Sequence, residues 1–255
     1  MSPSRRRRRL RQLLFCAGLL ALPAWMTPAA ALAETDVFVG NIAPYSYPPE
    51  HGERGVLFEL MHELALRTGL SGEVQIVPLG RELEFLRNNP DALGVLARVP
   101  DREVHYRWVA PLLRERVLLV TRADSPVDIS TLRAARGLRL GVLLGGPAES
   151  VARRSGFEHV EATTSVGNNV RKLAAGRLDA LLVMGGVAAA EEALPAGQSL
   201  SWREGAVIEY TDIYVAGNPG FAPASVRKWQ AALKAMQRDG SYQRILGRYH
   251  FAPAK

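Results

Sequence analysis

The sequence DALGVLARVPDREVHYRWVAPL, Asp91–Leu112, contains the turn around which the fold prediction is built. It opens with the apolar run Ala92–Ala97, which is too short for a typical helix and suits a buried strand. Arg98 ends that run, and Pro100 follows at a position where the first turn of a helix accepts a proline without losing a hydrogen bond. The stretch therefore predicts a buried strand that turns directly into a helix.

Two guanidinium groups flank this corner, because Arg98 and Arg102 lie on either side of Pro100. In open α/β sheets, ligands bind at such corners, beyond the carboxyl ends of strands. Composition alone favours the simpler interpretation that both arginines form surface ion pairs, which are common and weak. The acids available for such pairs are Asp101, Glu103 and Glu115.

The basic charge of the chain is concentrated at its N-terminus. The 255 residues carry a formal charge of +7, but residues 1–33 contain six arginines and no acid. The remainder has a net charge of +1, so nucleic-acid binding is not expected. A hydrophobic content of 47% and a charged content of 22% are typical of a globular protein.

Residues 1–33 have the features of an export signal. A basic segment precedes the apolar run Leu13–Trp25, and the ALA sequence at 31–33 is an A-x-A cleavage site. The alternative is an uncleaved anchor, which the prolines and small residues before Glu34 disfavour. We therefore predict secretion to the periplasm. Cys16, the only cysteine, lies in this signal, so the mature chain would contain no disulfide and no thiol nucleophile.

Strand-like and helix-like segments alternate along the rest of the chain. A first α/β unit includes the amphipathic helix Gly55–Thr68, and a second unit begins at Leu138. Two extended crossings, Arg116–Thr121 and Val207–Val215, separate the units, and the helix Ser225–Arg238 returns after the second crossing. This order predicts an α/β fold of two lobes, each a mostly parallel sheet flanked by helices.

The sequence contains no nucleophile elbow, zinc-protease motif, phosphate loop or dinucleotide fingerprint. Glu59, His62 and Glu63 share a helix face, but no further ligands have suitable spacing for a metal, so a solvated face is favoured. Gly145-Gly146 follows a predicted strand, where free backbone N–H groups can bind an anion; an ordinary tight turn is equally supported. We expect no metal and no cofactor.

Six short segments occur in an order that is similar to one bacterial family. They are APYSY at 43–47, GVLFEL at 55–60, VPDRE at 99–103, YRWVAP at 106–111, GRLDA at 176–180 and DGSY at 239–242. Together they span essentially the whole mature chain. The chain resembles the extracellular solute-binding protein family 3, the type II periplasmic binding proteins best known for amino-acid uptake.

The resemblance implies a ligand cleft between the lobes that closes about the two crossings. Arg102 matches the arginine that clamps a ligand carboxylate, a task suited to the guanidinium fork. Tyr45 and Tyr47 fall in the loop whose aromatic side chains wall the cleft, and Gly145-Gly146 matches a turn that offers backbone donors. The predicted ligand-binding residues are Tyr45, Tyr47, Arg81, Arg98, Arg102, Gly145 and Gly146.

Three departures from the family pattern bear on the ligand. Val99 replaces the usual threonine, and Gly146 and Pro147 lie where amino-acid binders have hydroxyl side chains. Met184, five residues after Asp179, occupies the position at which those binders carry an aspartate for the ligand's ammonium group. Without that acid a buried ammonium would lose its partner, so an anionic or weakly polar solute is expected instead of a standard amino acid.

These observations predict a monomeric binding protein that captures a small, carboxylate-bearing solute for an inner-membrane ABC permease and performs no chemistry. The predicted divisions are a signal at 1–33, lobe 1 at 34–120 and 209–255, and lobe 2 at 121–208. One alternative is the ligand-sensing partner of a signalling protein. Another is a dehydratase-like enzyme on the same fold, for which Glu59 or Asp179 would have to supply the general acid.

Overall fold

The computed structural model describes residues 35–194 and 199–251, and the predicted export signal lies outside them. Strands and helices alternate in the predicted order. The strands are β1 Phe38–Gly40, β2 Gln75–Val77, β3 Leu93–Arg98, β4 Arg107–Arg122, β5 Arg139–Leu143, β6 His159–Thr163, β7 Ala180–Met184 and β8 Trp202–Gly217. The helices are α1 Val56–Arg67, α2 Leu79–Asn88, α3 Leu132–Ala135, α4 Pro147–Arg154, α5 Val166–Ala174, α6 Gly186–Glu192, α7 Pro223–Arg238 and α8 Ser241–Arg248.

The main sheet has six strands in the order β3-β8-β4-β7-β5-β6. At one end β5 lies parallel to both β6 and β7. At the other end β1 and β2 form a parallel pair, which a parallel bridge between Val37 and Leu93 connects to β3. The central strands β4 and β8 run antiparallel to their neighbours. The structure thus combines two parallel groups of strands with two antiparallel crossings, which confirms the predicted fold class.

The two crossings are longer than the sequence indicated. β4 and β8 each contain 16 residues and pair from Arg107 opposite Gly217 to Arg122 opposite Trp202. Pro111 lies within β4 next to a shift in register, where the missing N–H of a proline is tolerated. The crossings are therefore one continuous antiparallel ribbon through the molecule.

Buried apolar side chains form separate clusters towards the two ends of this ribbon. Two clusters draw on residues 37–113 and 213–246, and we call the part built around them lobe 1. Two others draw on residues 117–190, and we call that part lobe 2. Met184 contacts clusters of both lobes. The exact lobe boundaries at 120 and 208 stay a prediction.

The local structure follows from the sequence signals. The apolar stripe of α1 is buried, as its spacing predicts. Ser165 caps α5 by accepting a hydrogen bond from Asn168 N–H, and Gly240 ends α7 in a left-handed conformation. The corner after β3 is a single 3₁₀ turn, Pro100–Arg102, because β4 begins five residues later. Among the described residues no helix is both long and apolar enough to cross a membrane.

Gly55 provides a test of the packing between α1 and the loop before it. Its φ of +86° is in a region that favours glycine, and an added Cβ would lie 2.4 Å from the carbonyl oxygen of Tyr45. We expect Gly55→Ala to lower the free energy of unfolding by about 3 kcal/mol in urea denaturation. Gly80→Ala is the matched control, because nothing lies within 4 Å of its Cβ position. Equal stabilities of the two variants would contradict this account.

Candidate functional site

Arg102 lies at the junction of the two lobes. The 3₁₀ turn after β3 directs its side chain inward, and only 8% of the residue is exposed. Nη1 donates to the carbonyl oxygen of Ala97 at 2.8 Å, within lobe 1, and Nη2 donates to that of Gly145 at 2.5 Å, in lobe 2. Burial lowers the pKa of Arg102, and nearby Tyr106, Glu82 and Asp101 oppose this effect. Its guanidinium group thus connects the lobes through two neutral acceptors.

Asp101 makes a second polar connection between the lobes. Its Oδ2 accepts a hydrogen bond from Ser150 Oγ at 2.6 Å and lies 3.5 Å from Arg153 Nη1, both on α4. On another side of the molecule His51 Nε2 lies 3.1 Å from Glu192 Oε1 on α6. The lobes are therefore in contact in this structure.

A cleft of about 300 Å³ opens beside Arg102, between α2 and the corner of lobe 1 and α4 of lobe 2. We call it the outer cleft. Its charged and polar lining residues are Arg87, Asp101, Arg102, His105, Tyr106, Glu149, Ser150 and Arg153. Asp101 and Glu149 both contact Arg153. In contrast, the hydrogen bonds of Arg87 and Arg102 among the described residues go to carbonyl oxygens. The cleft thus presents two cations that lack a carboxylate partner there.

A second cavity, of about 20 Å³, also has Arg102 in its lining and is mostly apolar. We call it the inner cavity, and its lining includes Tyr45, Leu57, Pro147, Met184 and Ile213. A neighbouring cavity of about 30 Å³ also has Met184 and Pro147 in its lining. Among the described residues, Arg102 is the cationic residue of the inner cavity, and no carboxylate lines either space.

The two predicted tyrosines have different surroundings. Tyr45 is buried, and its hydroxyl donates to Glu115 Oε2 at 3.2 Å. The same hydroxyl lies opposite Gly185, where an added Cβ would be 2.5 Å away. Tyr47 stacks on His51 with ring centroids 4.0 Å apart, and burial, with Glu192 and Glu53 nearby, raises its pKa to about 12. Tyr45 lines the inner cavity, whereas Tyr47 supports the contact with α6.

The other two predicted arginines lie apart from Arg102. Arg98 forms a two-pronged ion pair with Glu103, at 2.8 and 3.0 Å, and its guanidinium lies over the rings of Trp108 and Tyr214. The surface-pair interpretation therefore describes Arg98. Arg81 is exposed at the start of α2 and lines neither the outer cleft nor the inner cavity.

The Gly145-Gly146 turn reaches the outer cleft, but its N–H groups already have acceptors. Gly145 N–H donates to Glu149 Oε2 at 2.7 Å, and Gly146 N–H donates to the Leu143 carbonyl oxygen at 2.9 Å. Its positive φ of 71° lets Gly145 turn its own carbonyl toward Arg102. In this structure the turn thus contributes an acceptor to the cleft, where the sequence predicted donors.

Sequence reasoning missed Glu82, a fully buried carboxyl group on α2 near Arg102. Burial raises its pKa to about 7, against the opposing effects of the Val95 N–H and of Arg102. The sequence RELEF at 81–85 gave no sign of this burial, because its charged residues are typical of a solvent-exposed helix face. The available signal was the pair Gly40 and Gly94 in the adjacent strands, where an added Cβ would lie 2.7 and 2.6 Å from the Glu82 oxygens.

The acids named for an enzymatic alternative lie outside the cleft. Glu59 accepts hydrogen bonds from Arg248 and from the Tyr249 hydroxyl. Asp179 pairs with Arg139 at 2.6 Å, which lowers the pKa of Asp179. Within residues 35–194 and 199–251 no group of three or more histidine, cysteine or acidic side chains is placed to hold a metal ion.

Solved structures share this fold at low sequence identity. A histidine kinase sensor domain with similarity to periplasmic binding proteins matches with a TM-score of 0.73 and 18% identity, over 84% of this chain and 96% of that one. The arginine-, lysine-, histidine-binding protein ArtJ from Geobacillus stearothermophilus matches with a TM-score of 0.70 and 18% identity, over 87% and 97%. An ancestral amino acid-binding protein, a precursor of cyclohexadienyl dehydratase, matches with a TM-score of 0.68 and 18% identity, over 84% and 94%.

These matches establish the class of fold. The chain has the two-lobed type II fold of periplasmic binding proteins, the fold of the solute-binding family that its motifs resemble. No family model matches the sequence, and neither does any curated protein.

The hydrogen bond from Tyr45 to Glu115 gives a prediction about stability. The Tyr45 hydroxyl lowers the pKa of Glu115, which burial raises, so the bond favours the ionised carboxylate. We expect Tyr45→Phe to cost about 2 kcal/mol of unfolding free energy at about pH 7 and clearly less at about pH 4, where Glu115 is protonated. Urea denaturation at both pH values measures this. Tyr106→Phe is the control, because its hydroxyl donates to the neutral Leu83 carbonyl; equal pH dependence in both variants would contradict the prediction.

Proposed function

We propose that this chain is a periplasmic solute-binding protein that captures a small, carboxylate-bearing solute and delivers it to an inner-membrane ABC permease. The observation that carries the proposal is the Arg102 guanidinium, buried where the lobes meet, without a carboxylate partner among the described residues. A buried cation of this kind favours an anion that enters the cleft. The export signal predicted at residues 1–33 accords with delivery from the periplasm.

The surroundings of Arg102 favour an organic acid over an amino acid. Met184 lines the inner cavity and offers no charge to an ammonium group. The acids of the outer cleft, Asp101 and Glu149, already accept hydrogen bonds from Ser150 and Gly145. A free amino group would therefore lose its hydration without gaining a free carboxylate. The cleft volume of about 300 Å³ suits a small solute.

A sensor role is the second candidate, because a kinase sensor domain shares the fold with a TM-score of 0.73. A sensor would bind its ligand in the same way, but its closed form would contact a signalling protein instead of a permease. An enzymatic role has less support. Glu59 and Asp179 lie elsewhere, and Glu82 lines neither the outer cleft nor the inner cavity, so it does not reach a bound molecule. We therefore propose binding without turnover.

Thermal unfolding of the purified chain with organic acids, amino acids and polyamines tests the class of ligand. A ligand that binds the folded state raises the melting temperature once its concentration exceeds Kd. We expect small organic acids to raise it and polyamines to leave it unchanged. Stabilisation by polyamines alone would overturn the proposal. Chromatography of the same mixtures should recover the acids intact, and formation of a product would support the enzymatic alternative.

The role of Arg102 is tested by substitutions that keep or remove its charge. We expect Arg102→Lys to weaken binding of the best acid by roughly tenfold and Arg102→Gln by roughly a hundredfold, because lysine keeps the charge but not the fork. Isothermal titration calorimetry measures both affinities. Arg227→Lys is the matched control, since Arg227 is exposed on α7. Wild-type affinity in Arg102→Gln would exclude Arg102 as the anchor.

A further inference from the structure

Glu82 is a buried acid for which the backbone makes room. It is 0% exposed, and its Oε1 accepts a hydrogen bond from Val95 N–H at 2.8 Å. Its Oε2 lies beside the backbone of Gly40 and makes no hydrogen bond of normal geometry with the described residues. A side chain at Gly40 or Gly94 would occupy the place of the carboxyl oxygens. Two strands therefore leave space for this acid, although burying it is costly.

The charged groups around Glu82 come mainly from the corner after β3. Arg102 contacts the same strand as Glu82: its Nη1 donates to the Ala97 carbonyl oxygen, two residues along β3 from the Val95 N–H that Glu82 accepts. Arg102 lowers the pKa of Glu82, and Tyr106 is near both groups. Asp101 raises the pKa of Arg102. Arg87, on the same helix as Glu82, lowers the pKa of Tyr106. The strands β1 and β3 contribute only the backbone of Gly40 and Val95. Within residues 35–194 and 199–251, Arg102 is thus the only cation that acts directly on Glu82.

An anion that binds Arg102 also changes the electrostatic environment of Glu82. Its field favours the ionised form of Glu82, because opposite charges attract strongly in a buried site. A carboxylate that binds Arg102 cancels this field and repels a negative Glu82. We propose that Glu82 takes up a proton when an anion binds at Arg102, so that anion capture by this protein is linked to proton uptake. This inference rests on the proposed function of Arg102.

The direction of the pH dependence follows from this linkage. Without ligand the pKa of Glu82 is raised to about 7, and an anion on Arg102 raises it further. Below about pH 6 Glu82 is protonated in both the free and the anion-bound protein, so anion binding takes up no proton. Above about pH 7 each binding event must also protonate Glu82, so affinity falls by up to about tenfold per pH unit.

Formate, the smallest carboxylate and one that stays ionised throughout this range, is the probe. Thermal unfolding of the full chain is followed against formate concentration at about pH 6 and pH 8.5, with chloride at equal ionic strength as reference. We expect the wild type to bind formate roughly tenfold more tightly at the lower pH. Glu82→Gln should bind it equally at both, and Arg102→Gln should not respond at either. His105→Asn is needed because His105 lines the outer cleft, and we expect it to keep the pH dependence.

The outcomes separate this inference from the proposed function. Equal formate affinity of the wild type at both pH values overturns the proton linkage and leaves anion capture intact. Loss of the pH dependence in His105→Asn, with its retention in Glu82→Gln, assigns the proton to His105 and also overturns the inference. No response to formate in any variant overturns anion capture at Arg102, and the linkage with it.

Two measurements keep the inference testable if Glu82→Gln does not fold. Calorimetry of the wild type with formate at about pH 7, in buffers of different ionisation enthalpy, should show uptake of about half a proton per formate bound. No uptake would overturn the linkage.

Without formate, the raised pKa of Glu82 stabilises the fold at low pH, so the free energy of unfolding should fall as the pH rises from 4.5 through about 7. Gly94→Ala, which crowds the Glu82 carboxyl, should alter this pH dependence.

Discussion

The antiparallel pairing of β4 with β8 is the constraint on which the rest of the structure depends. Each strand has 16 residues, and the ribbon passes from the apolar clusters of lobe 1 to those of lobe 2. Register shifts interrupt the pairing at four places, two of them between Val117 and Val120. Such irregularities bend and twist a strand pair. The ribbon therefore sets how the corner after β3 and the turn after β5 face one another, and so where Arg102 meets Gly145.

A buried guanidinium at this meeting point is costly unless it is compensated. Removing a charge from water costs several kcal/mol, and a hydrogen bond to a charged group returns roughly 1.5–3 kcal/mol. Arg102 has two such bonds, both to backbone carbonyls, and the nearby acid Glu82 has a pKa raised to about 7. The cost of burying the Arg102 charge is thus only partly offset near neutral pH. The proposed anion capture, and its proposed coupling to the protonation of Glu82, rest on this incomplete compensation.

Most of the fold could be predicted from sequence, because periodicity, caps and turns act locally. The helices α1 and α7 and the strand β3 occur where their patterns indicated. The first half of β4 was missed, since Pro111 and the charged Arg114 and Glu115 hide a strand whose pairing is set by β8. The four-residue helix Leu132–Ala135 was also missed, because it is too short for a periodic signal.

The site was harder to predict than the fold, for a physical reason. Arg98 and Arg102 have the same chemistry four residues apart, yet one is 39% exposed at its side chain and pairs with Glu103, while the other is buried. Their difference depends on the tertiary contact with Gly145, which no local pattern encodes. Glu82 was hidden for the same reason, since its burial depends on two glycines in strands that are distant along the chain.

The glycine turn bears on why the proposed carboxylate capture is assigned to Arg102. In a helix of this kind the first N–H groups attract anions, and α4 supplies its own anion in Glu149, whose carboxylate accepts the Gly145 N–H and lies 3.3 Å from Arg153. A solute carboxylate that competed for this N–H would have to displace an attached acid and break its ion pair with Arg153. At Arg102 a solute carboxylate would replace the carbonyl acceptors or bind beside them, because a guanidinium has five donors and two are used here. Under the proposed function, this difference between the two positive groups would direct an incoming carboxylate to the arginine.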